Sequence, residues 1–245
     1  MSDEKFVVFP RRDGIVYPQI YTKFKVKSKE NDKEEEFQIQ DLTENYFDEA
    51  VDFIVANHAR GAVFHNAAGT LTRESGIERV RAAYRRVFEE KISLICLHVN
   101  NGSEKVVGLN ALHIKSKFDP PAQPSDDPNF CKLMEATKFI ENAFDVMEHY
   151  NVDRYMFAAG LCVGPEYRGR GIATEILKAR APLMRSIGIE LTTSIFSTTG
   201  AQKAALAAGY DENYSITYEE FEKVLPSMNF SRFYGSSCKV LSLKV

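Results

Sequence analysis

Residues 154–173 read R-Y-M-F-A-A-G-L-C-V-G-P-E-Y-R-G-R-G-I-A. Arg154 to Val163 is a largely apolar run of strand length, Gly164 to Gly171 is a glycine-rich turn, and helical spacing runs from Ile172 to Ile187-Gly188. Glycines let backbone amides come close to a ligand, and a helix start adds partial positive charge, so this turn predicts an anion site. Arg168 and Arg170 would add side-chain charge to a pyrophosphate. A nucleotide P-loop needs Gly-Lys-Ser/Thr at its end, and Gly171-Ile172-Ala173 fails that test. A dinucleotide fingerprint needs glycine or alanine where Thr174 stands and should open an N-terminal βαβ unit, whereas this turn lies late in the chain.

The flanking segments give the architecture. Val16 to Lys27 alternates as a strand, with Pro18 near its start, and Phe37 to Gln40 alternates again beyond a charged turn, which suggests an edge hairpin. Thr43 is an N-cap candidate for a helix to about His58, with Phe47, Ala50, Val51, Ile54 and Val55 on one face. Gly61 to Gly76 reads as a loop, and Ser75-Gly76-Ile77-Glu78 as a capping box opening a helix to about Glu90. Ile92–Val99 and Val106–Ile114 form strands joined through Asn100-Asn101-Gly102. A Pro/Asp-rich loop over Phe118–Pro128 precedes a helix, with Asp127 as its cap, to about His149. After the glycine turn and its helix come a strand over Ile189–Phe196, a short helix over Thr199–Ala208 that stops at Gly209-Tyr210, and strands near Ser215–Glu220 and Cys238–Lys244. The expectation is one mixed α/β (α+β) domain over residues 1–245, with residues 1–36 as an N-terminal extension carrying an edge strand.

Composition narrows the partners. The chain has 245 residues, 44% hydrophobic and 27% charged, with Lys+Arg 31 against Asp+Glu 34 for a net charge of -3. That balance excludes a disordered chain and any global pull toward nucleic acid or anionic membrane, so an anion site must be local. Cys96, Cys131, Cys162 and Cys238 are scattered and offer neither a zinc spacing nor a disulfide framework, and no metal is expected. Met1-Ser2-Asp3-Glu4-Lys5 lacks the pattern of a secretory leader, and no apolar run approaches a membrane span. A cytoplasmic, reduced, monomeric protein is expected.

Arg168-Gly169-Arg170-Gly171-Ile172-Ala173 fits Arg/Gln-x-x-Gly-x-Gly/Ala, the pyrophosphate loop of the GNAT acyltransferase superfamily, which the chain resembles. The element order is similar too, and Gly209-Tyr210 stands where the family usually ends its short helix with Gly-Phe. The Asp/Pro-rich loop at 119–130, the helix reaching Phe144-Asp145-Val146 and the segment from Val16 to Leu42 look like the insect-type arylalkylamine N-acetyltransferases. The resemblance implies a single mixed central sheet of about seven strands flanked by helices and splayed at a coenzyme cleft.

It also implies direct transfer of acetyl from acetyl-CoA to a small arylalkylamine, without a covalent enzyme intermediate. Leu161, Cys162 and Val163 would pair with the pantetheine arm as a strand does, and Arg168, Gly169, Arg170, Gly171, Ile172 and Ala173 would hold the pyrophosphate. A base must deprotonate the amine. The family's usual glutamate falls at Asn66, which cannot accept a proton. His65 is a candidate base, and Glu44, Glu74 and His113 are others; equally, His65 is a loop-packing residue. A tyrosine acid of the superfamily would fall at Ala205. Ser197 matches the first of the serines that follow the fifth strand in relatives, which makes it a candidate catalytic residue in polar contact with the thiol or substrate; the second falls at Ala201, and Thr198 and Thr199 fit a helix cap.

Cys162 reads as a buried core cysteine rather than a nucleophile, for want of a neighbouring base. Tyr84, Phe88, Phe64 and Phe118 would line an aromatic pocket or join the core. Arg81, Arg85 and Arg86 read as a solvated helix face. Two alternatives stay open: another acceptor class (a polyamine, amino acid or protein terminus), or a non-catalytic acyl-CoA-binding domain that lacks the usual catalytic groups.

Overall fold

The computed structural model describes residues 14–28, 33–121 and 125–245. The Met1–Lys5 start, part of the charged turn and part of the Pro/Asp loop lie outside them. Alternation sets the first hairpin, β1 (Ile20–Lys27) and β2 (Glu34–Asp41), whose Phe37 and Ile39 are fully buried. The next segment starts as a 3₁₀ turn at Glu44–Tyr46 and becomes α1 (Phe47–Ile54), on whose inner face Phe47, Ala50, Val51 and Ile54 are buried. It does not continue as one helix to His58: it widens into a π turn over Val55–Ala59, closed by Arg60 N–H to the Val55 carbonyl at 3.3 Å. Such bulges splay side chains off the regular helical face and are common at functional sites.

The expected loop at 61–76 contains a helix, α2 (Val63–Ala68), which buries Val63 and Ala68 and ends on Gly69 in the left-handed region. The Ser75–Glu78 capping box does not form. α3 (Glu74–Glu89) begins two residues earlier than a Ser75 cap would set it, with Arg73 as its N-cap, and Gly76 lies so close to the preceding turn that a Cβ there would sit 1.9 Å from the Thr70 carbonyl oxygen. β3 (Leu94–Asn100) and β4 (Ser103–Ser116) follow, joined at Asn101-Gly102 as expected. Asp127 caps α4 (Pro128–Ala143) through the amides of Asn129 and Phe130. That helix stops short of His149: Phe144 turns extended, and Asp145 caps a separate α5 (Val146–Tyr150).

β5 (Arg154–Val163), α6 (Ile172–Ile187), β6 (Leu191–Phe196) and α7 (Thr199–Ala207) match their expected places. β7 (Asp211–Thr217) ends earlier than expected, because Thr217 and Glu220 form a capping box that opens α8 (Tyr218–Val224). β8 (Ser237–Lys244) closes the order.

The strands form one open sheet of eight, β1-β2-β3-β4-β5-β6-β8-β7, against an expectation of about seven. Every neighbouring pair is antiparallel except β5 and β6. On one side α6 packs Ile172, Ile176, Leu183, Met184 and Ile187 against the sheet. On the other, α1 and α3 pack Phe47, Ile54, Tyr84 and Phe88. A separate aromatic cluster of Tyr218, Phe221 and Phe230 seals the C-terminal third beside α4. Arg81 and Arg85 do lie on a solvated face, paired to Asp52 and Asp48.

Candidate active site

The site arises where the sheet comes apart. β5 pairs with β4 along its whole length, from Arg154 to Val163. With β6 it is in register only at Met156↔Thr192 and Phe157↔Thr193. The β4–β5 register slips between Ala111 and Leu112, which leaves Ala159 as an extra residue of β5 and bends that strand. From Ala158 onward one edge of β5 therefore faces no strand. At the point of divergence the Ser194 hydroxyl accepts from Ala158 N–H at 3.2 Å, a side chain standing in for a ladder bond. A cavity of about 910 Å³ fills the gap and reaches both faces of the sheet.

On the α6 face it is lined by Leu161, Val163, Arg168, Gly169 and Gly171–Thr174, with Gly200, Ala201 and Lys203 of α7 opposite. Gly169 and Gly171 have φ of +72° and +78°, and a Cβ on Gly171, the α6 N-cap, would meet nothing within 4 Å. The turn thus presents an open concavity before a sixteen-residue helix. Arg168 stays at this mouth, its Nε donating to the Val163 carbonyl at 2.9 Å and Nη2 to the Asn57 carbonyl at 3.3 Å.

Arg170 corrects the sequence reading. Its side chain, 6% exposed, turns back to Glu35 at 2.5 Å and the Val26 carbonyl at 3.3 Å, over the rings of Phe37 and Tyr167. Its charge fastens the loop to the N-terminal hairpin, and only its backbone is left for a ligand.

On the opposite face the lining comes from the π turn, α2, α4 and the inner strands: Asn57, His58, Phe64, His65, Leu133, Thr137 and Phe157. His65 of α2 lies here, its Nδ1 2.7 Å from the Thr70 hydroxyl, and burial lowers its pKa to about 4. Asn66 faces outward and donates to the Arg60 and Ala62 carbonyls. Ser197 and Thr198 also reach the cavity; Thr198 caps α7, and the Ser197 carbonyl accepts from the Tyr218 hydroxyl at 2.6 Å. Cys162 is a lining residue as well, but burial raises its thiol to about 12, so it is no thiolate nucleophile.

The other candidates fall outside the cavity lining. Glu44 pairs with Lys91, Glu74 is exposed at the start of α3, and His113 is half-buried, edge-on to Phe157. Phe88 is core, Tyr84 lies behind His58, and Phe118 is 76% exposed, leaving Phe64 as the member of that expected aromatic set that lines the pocket.

His58 was not singled out in the sequence. The π turn sets its ring against Gly160, where a Cβ would lie 3.1 Å from His58 Nδ1, so a side chain there would press on the ring. His58 Nδ1 is 2.9 Å from the Tyr84 hydroxyl, which in turn lies 3.5 Å from the Ala159 carbonyl. A phenol has one proton to give. Both contacts are satisfied together when Nδ1–H donates to Tyr84 and Tyr84 donates to Ala159, which leaves the Nε2 lone pair unprotonated. Burial, reinforced by neighbouring His65, lowers the His58 pKa to about 3, so the ring is neutral near pH 7. A histidine inside a helical repeat gave no signal because helical spacing does not reveal a π turn.

The acetyltransferase (GNAT) family matches residues 138–210, which span α4 through the glycine turn to Tyr210. A protein of the yellow fever mosquito Aedes aegypti, provisionally designated arylalkylamine N-acetyltransferase 7, is 31% identical over 96% of this chain and 98% of its own, with a TM-score of 0.88. The chain belongs to the GNAT acetyltransferase family.

Two further structures share the fold at low identity. Arylalkylamine N-acetyltransferase 2 of Aedes aegypti is 13% identical over 85% of this chain and 98% of its own, TM-score 0.72. The Drosophila melanogaster polyamine N-acetyltransferase that forms N-acetylagmatine is 12% identical over 85% and 100%, TM-score 0.70. No curated protein sequence matches significantly. In this GNAT chain, among the described residues, no helix is long and apolar enough to cross a membrane and no His/Cys/Asp/Glu cluster is placed to hold a metal.

Proposed function

We propose that this GNAT protein transfers acetyl from acetyl-CoA to the primary amine of a small arylalkylamine, with both substrates bound at once. One observation carries the reading: a cavity passes through the sheet at the β5–β6 divergence, with the glycine turn on one face and a neutral imidazole on the other. The residues present suit the coenzyme. The open Gly171 concavity and Arg168 would hold the pyrophosphate, and Lys203 adds positive charge across the mouth. The unpaired edge of Leu161–Val163 would hydrogen-bond the pantetheine arm as a partial strand.

His58 would act as the base on the other face, drawing the proton from the amine as nitrogen attacks the thioester carbon. With so low a pKa it serves as a carrier that passes the proton on, and His65 and solvent in the cavity are the next stations. Placing the two reactants in one gap supplies much of the remaining acceleration.

The acceptor face also supports an aryl amine over a polyamine. Phe64, Leu133 and Phe157 give it an apolar wall, and among the described residues no aspartate or glutamate lines the cavity, whose charged side chains Arg168, Arg180 and Lys203 are all cationic. A second ammonium group would have no counter-charge there. On this reading residues 1–245 act as one catalytic domain, and light scattering should give a monomer near 27.7 kDa.

The test follows thiol release from acetyl-CoA with phenethylamine- and tryptamine-like acceptors beside spermidine. Saturable release with an aryl amine and little with spermidine is expected. Preference for spermidine would overturn the acceptor assignment, and coenzyme binding without turnover on any amine would point to a binding protein.

A further inference from the structure

Arg180 stands apart from every other charged group in the cleft. It rises from the middle of α6, is fully buried, and lines the cavity. Its Nε donates to Asn110 Oδ1 at 2.8 Å, and Nη1 donates to the hydroxyls of Thr192 and Ser194, each at 3.1 Å. Nη2 makes no hydrogen bond although it is buried, and the nearby Tyr210 hydroxyl likewise lacks a partner. The Tyr210 ring lies under the guanidinium, 5.8 Å from its carbon to the ring centroid. All these partners are neutral. A buried charge ordinarily sits beside a counter-ion, and among the described residues none pairs with this one.

Its place in the fold suggests when a counter-ion arrives. Arg180 is eight residues beyond the start of α6, about 12 Å down the helix from the anion turn at a rise of 1.5 Å per residue. It shares Ser194 with Ala158 N–H, so it marks the inner end of the gap, where β5 and β6 begin to part. A pantetheine arm held by its pyrophosphate at Gly171, and running inward along the open edge of β5, brings its sulfur toward that end.

Resting on the coenzyme reading above, we infer that Arg180 is the built-in counter-ion of the leaving thiolate. In the step, the amine nitrogen forms a bond to the thioester carbon, the carbon–sulfur bond breaks, and its electron pair goes to sulfur. The amine's proton passes toward His58, and the sulfur leaves as an anion, to be protonated by water after it departs. By the resemblance noted above, the superfamily's tyrosine acid would fall at Ala205, which has no proton to donate, and a cation beside the sulfur would lessen the need for that donor. Of the titratable groups around the guanidinium, Tyr210 is the one coupled to it: burial raises the phenol and the Arg180 charge lowers it, the net direction being upward. Tyr210 is raised by burial, as is Cys162 on the cavity wall, and both stay neutral near pH 7; His58 on the far face is neutral as well.

The test reads the acidity of enzyme-bound coenzyme A and needs no turnover. Affinities for coenzyme A and desulfo-coenzyme A are compared by calorimetry across the ordinary thiol pKa of about 8.5, with thiolate ultraviolet absorbance recorded in parallel. In the wild-type protein the bound thiol should titrate about one unit lower, so that coenzyme A gains roughly tenfold over the desulfo compound as pH rises. Arg180→Gln should remove that gain, read as the pH dependence of the ratio of the two affinities, and Arg180→Lys should restore part of it. A wild-type thiol that titrates at or above the free value overturns the inference even if the glutamine variant does not fold. Equal thiol titration in wild type and Arg180→Gln overturns it too. Failure of the wild-type protein to bind either coenzyme sinks the coenzyme reading itself, a distinct result.

Discussion

The two faces of the cleft are built by different means. The face proposed for the coenzyme centres on one contiguous segment, β5 to turn to α6, and offers mainly backbone (an open strand edge, left-handed glycines and a helix start), with Arg168 and Lys203 of α7 adding charge. The face proposed for the acceptor is assembled from the π turn, α2, α4 and Phe157, and it presents side chains. Backbone chemistry constrains residue type at fixed spacing, so it leaves a motif. Side chains gathered from distant segments leave none. The contrast teaches that one face of this cleft can be read from a short signature while the other becomes visible only in the folded chain.

The largest expected effect tests whether the acceptor face carries the proton chemistry. His58→Gln should lower kcat by roughly 10²- to 10⁴-fold, the usual contribution of a general base, with acetyl-CoA affinity changed only slightly. His65→Gln should cost much less. Equal, small losses in steady-state assays would erase the distinction between the faces. Next, Gly171→Glu places a side chain in a left-handed position and a carboxylate in the anion concavity. Like-charge juxtaposition costs several kcal/mol, so coenzyme affinity should fall about 100-fold or more. Unchanged affinity by calorimetry would mean that the turn is not a ligand site.

Gly160→Ala sharpens the comparison because the residue belongs to β5 while its missing side chain serves the other face. A methyl group 3.1 Å from His58 Nδ1 and Ile54 Cδ1 must displace one of them. We expect kcat to fall about tenfold, near 1.4 kcal/mol, with coenzyme affinity preserved. Phe64→Ala should raise KM for an aryl amine by about tenfold, within the usual range for an apolar pocket contact, and leave the KM for acetyl-CoA unchanged.

The smallest effect is on stability. Burial lowers His58 to about 3, and His65 and His113 to about 4, from an ordinary 6.5. Their contribution is complete above pH 6.5 and is lost as pH falls toward 4, because the unfolded chain takes up protons first. Glu90, raised by burial to about 7, opposes them as pH falls from 7 to about 4.5, one group against three. Urea midpoints should therefore decline on net below pH 6.5, and His113→Phe should flatten the slope. A midpoint that does not change between pH 6.5 and 4.5 would contradict the buried neutral state.

Much of the architecture was legible in the sequence because apolar periodicity and turn chemistry agreed locally. Asp127-Pro128, Asn101-Gly102 and Gly188 punctuate the chain where expected. The misreadings share a cause: α2 at Val63–Ala68, the break at Phe144-Asp145 and the start of α8 at Thr217 are all set by tertiary packing or by caps too short to register as periodicity. Spacing placed Arg168, Gly169 and Gly171 on one turn, and all three line the cavity. The place of Arg170 was not legible, since the sequence gives no hint that Glu35, far upstream, would claim its charge. Arg180 was invisible because its spacing is that of an ordinary core position.

The two register pairs between β5 and β6 have a consequence for how the molecule holds together. The sheet is effectively two plates, β1 to β5 and β6 to β8, hinged at Met156–Phe157 and latched by Ser194, Thr192 and Arg180. A substrate that lies in the gap as a partial strand is then the missing rung of the ladder. Amide protons at the inner edges of β5 and β6 should exchange slowly while that rung is in place and quickly once it leaves. The release of product and the loosening of the sheet would be one event seen from two sides.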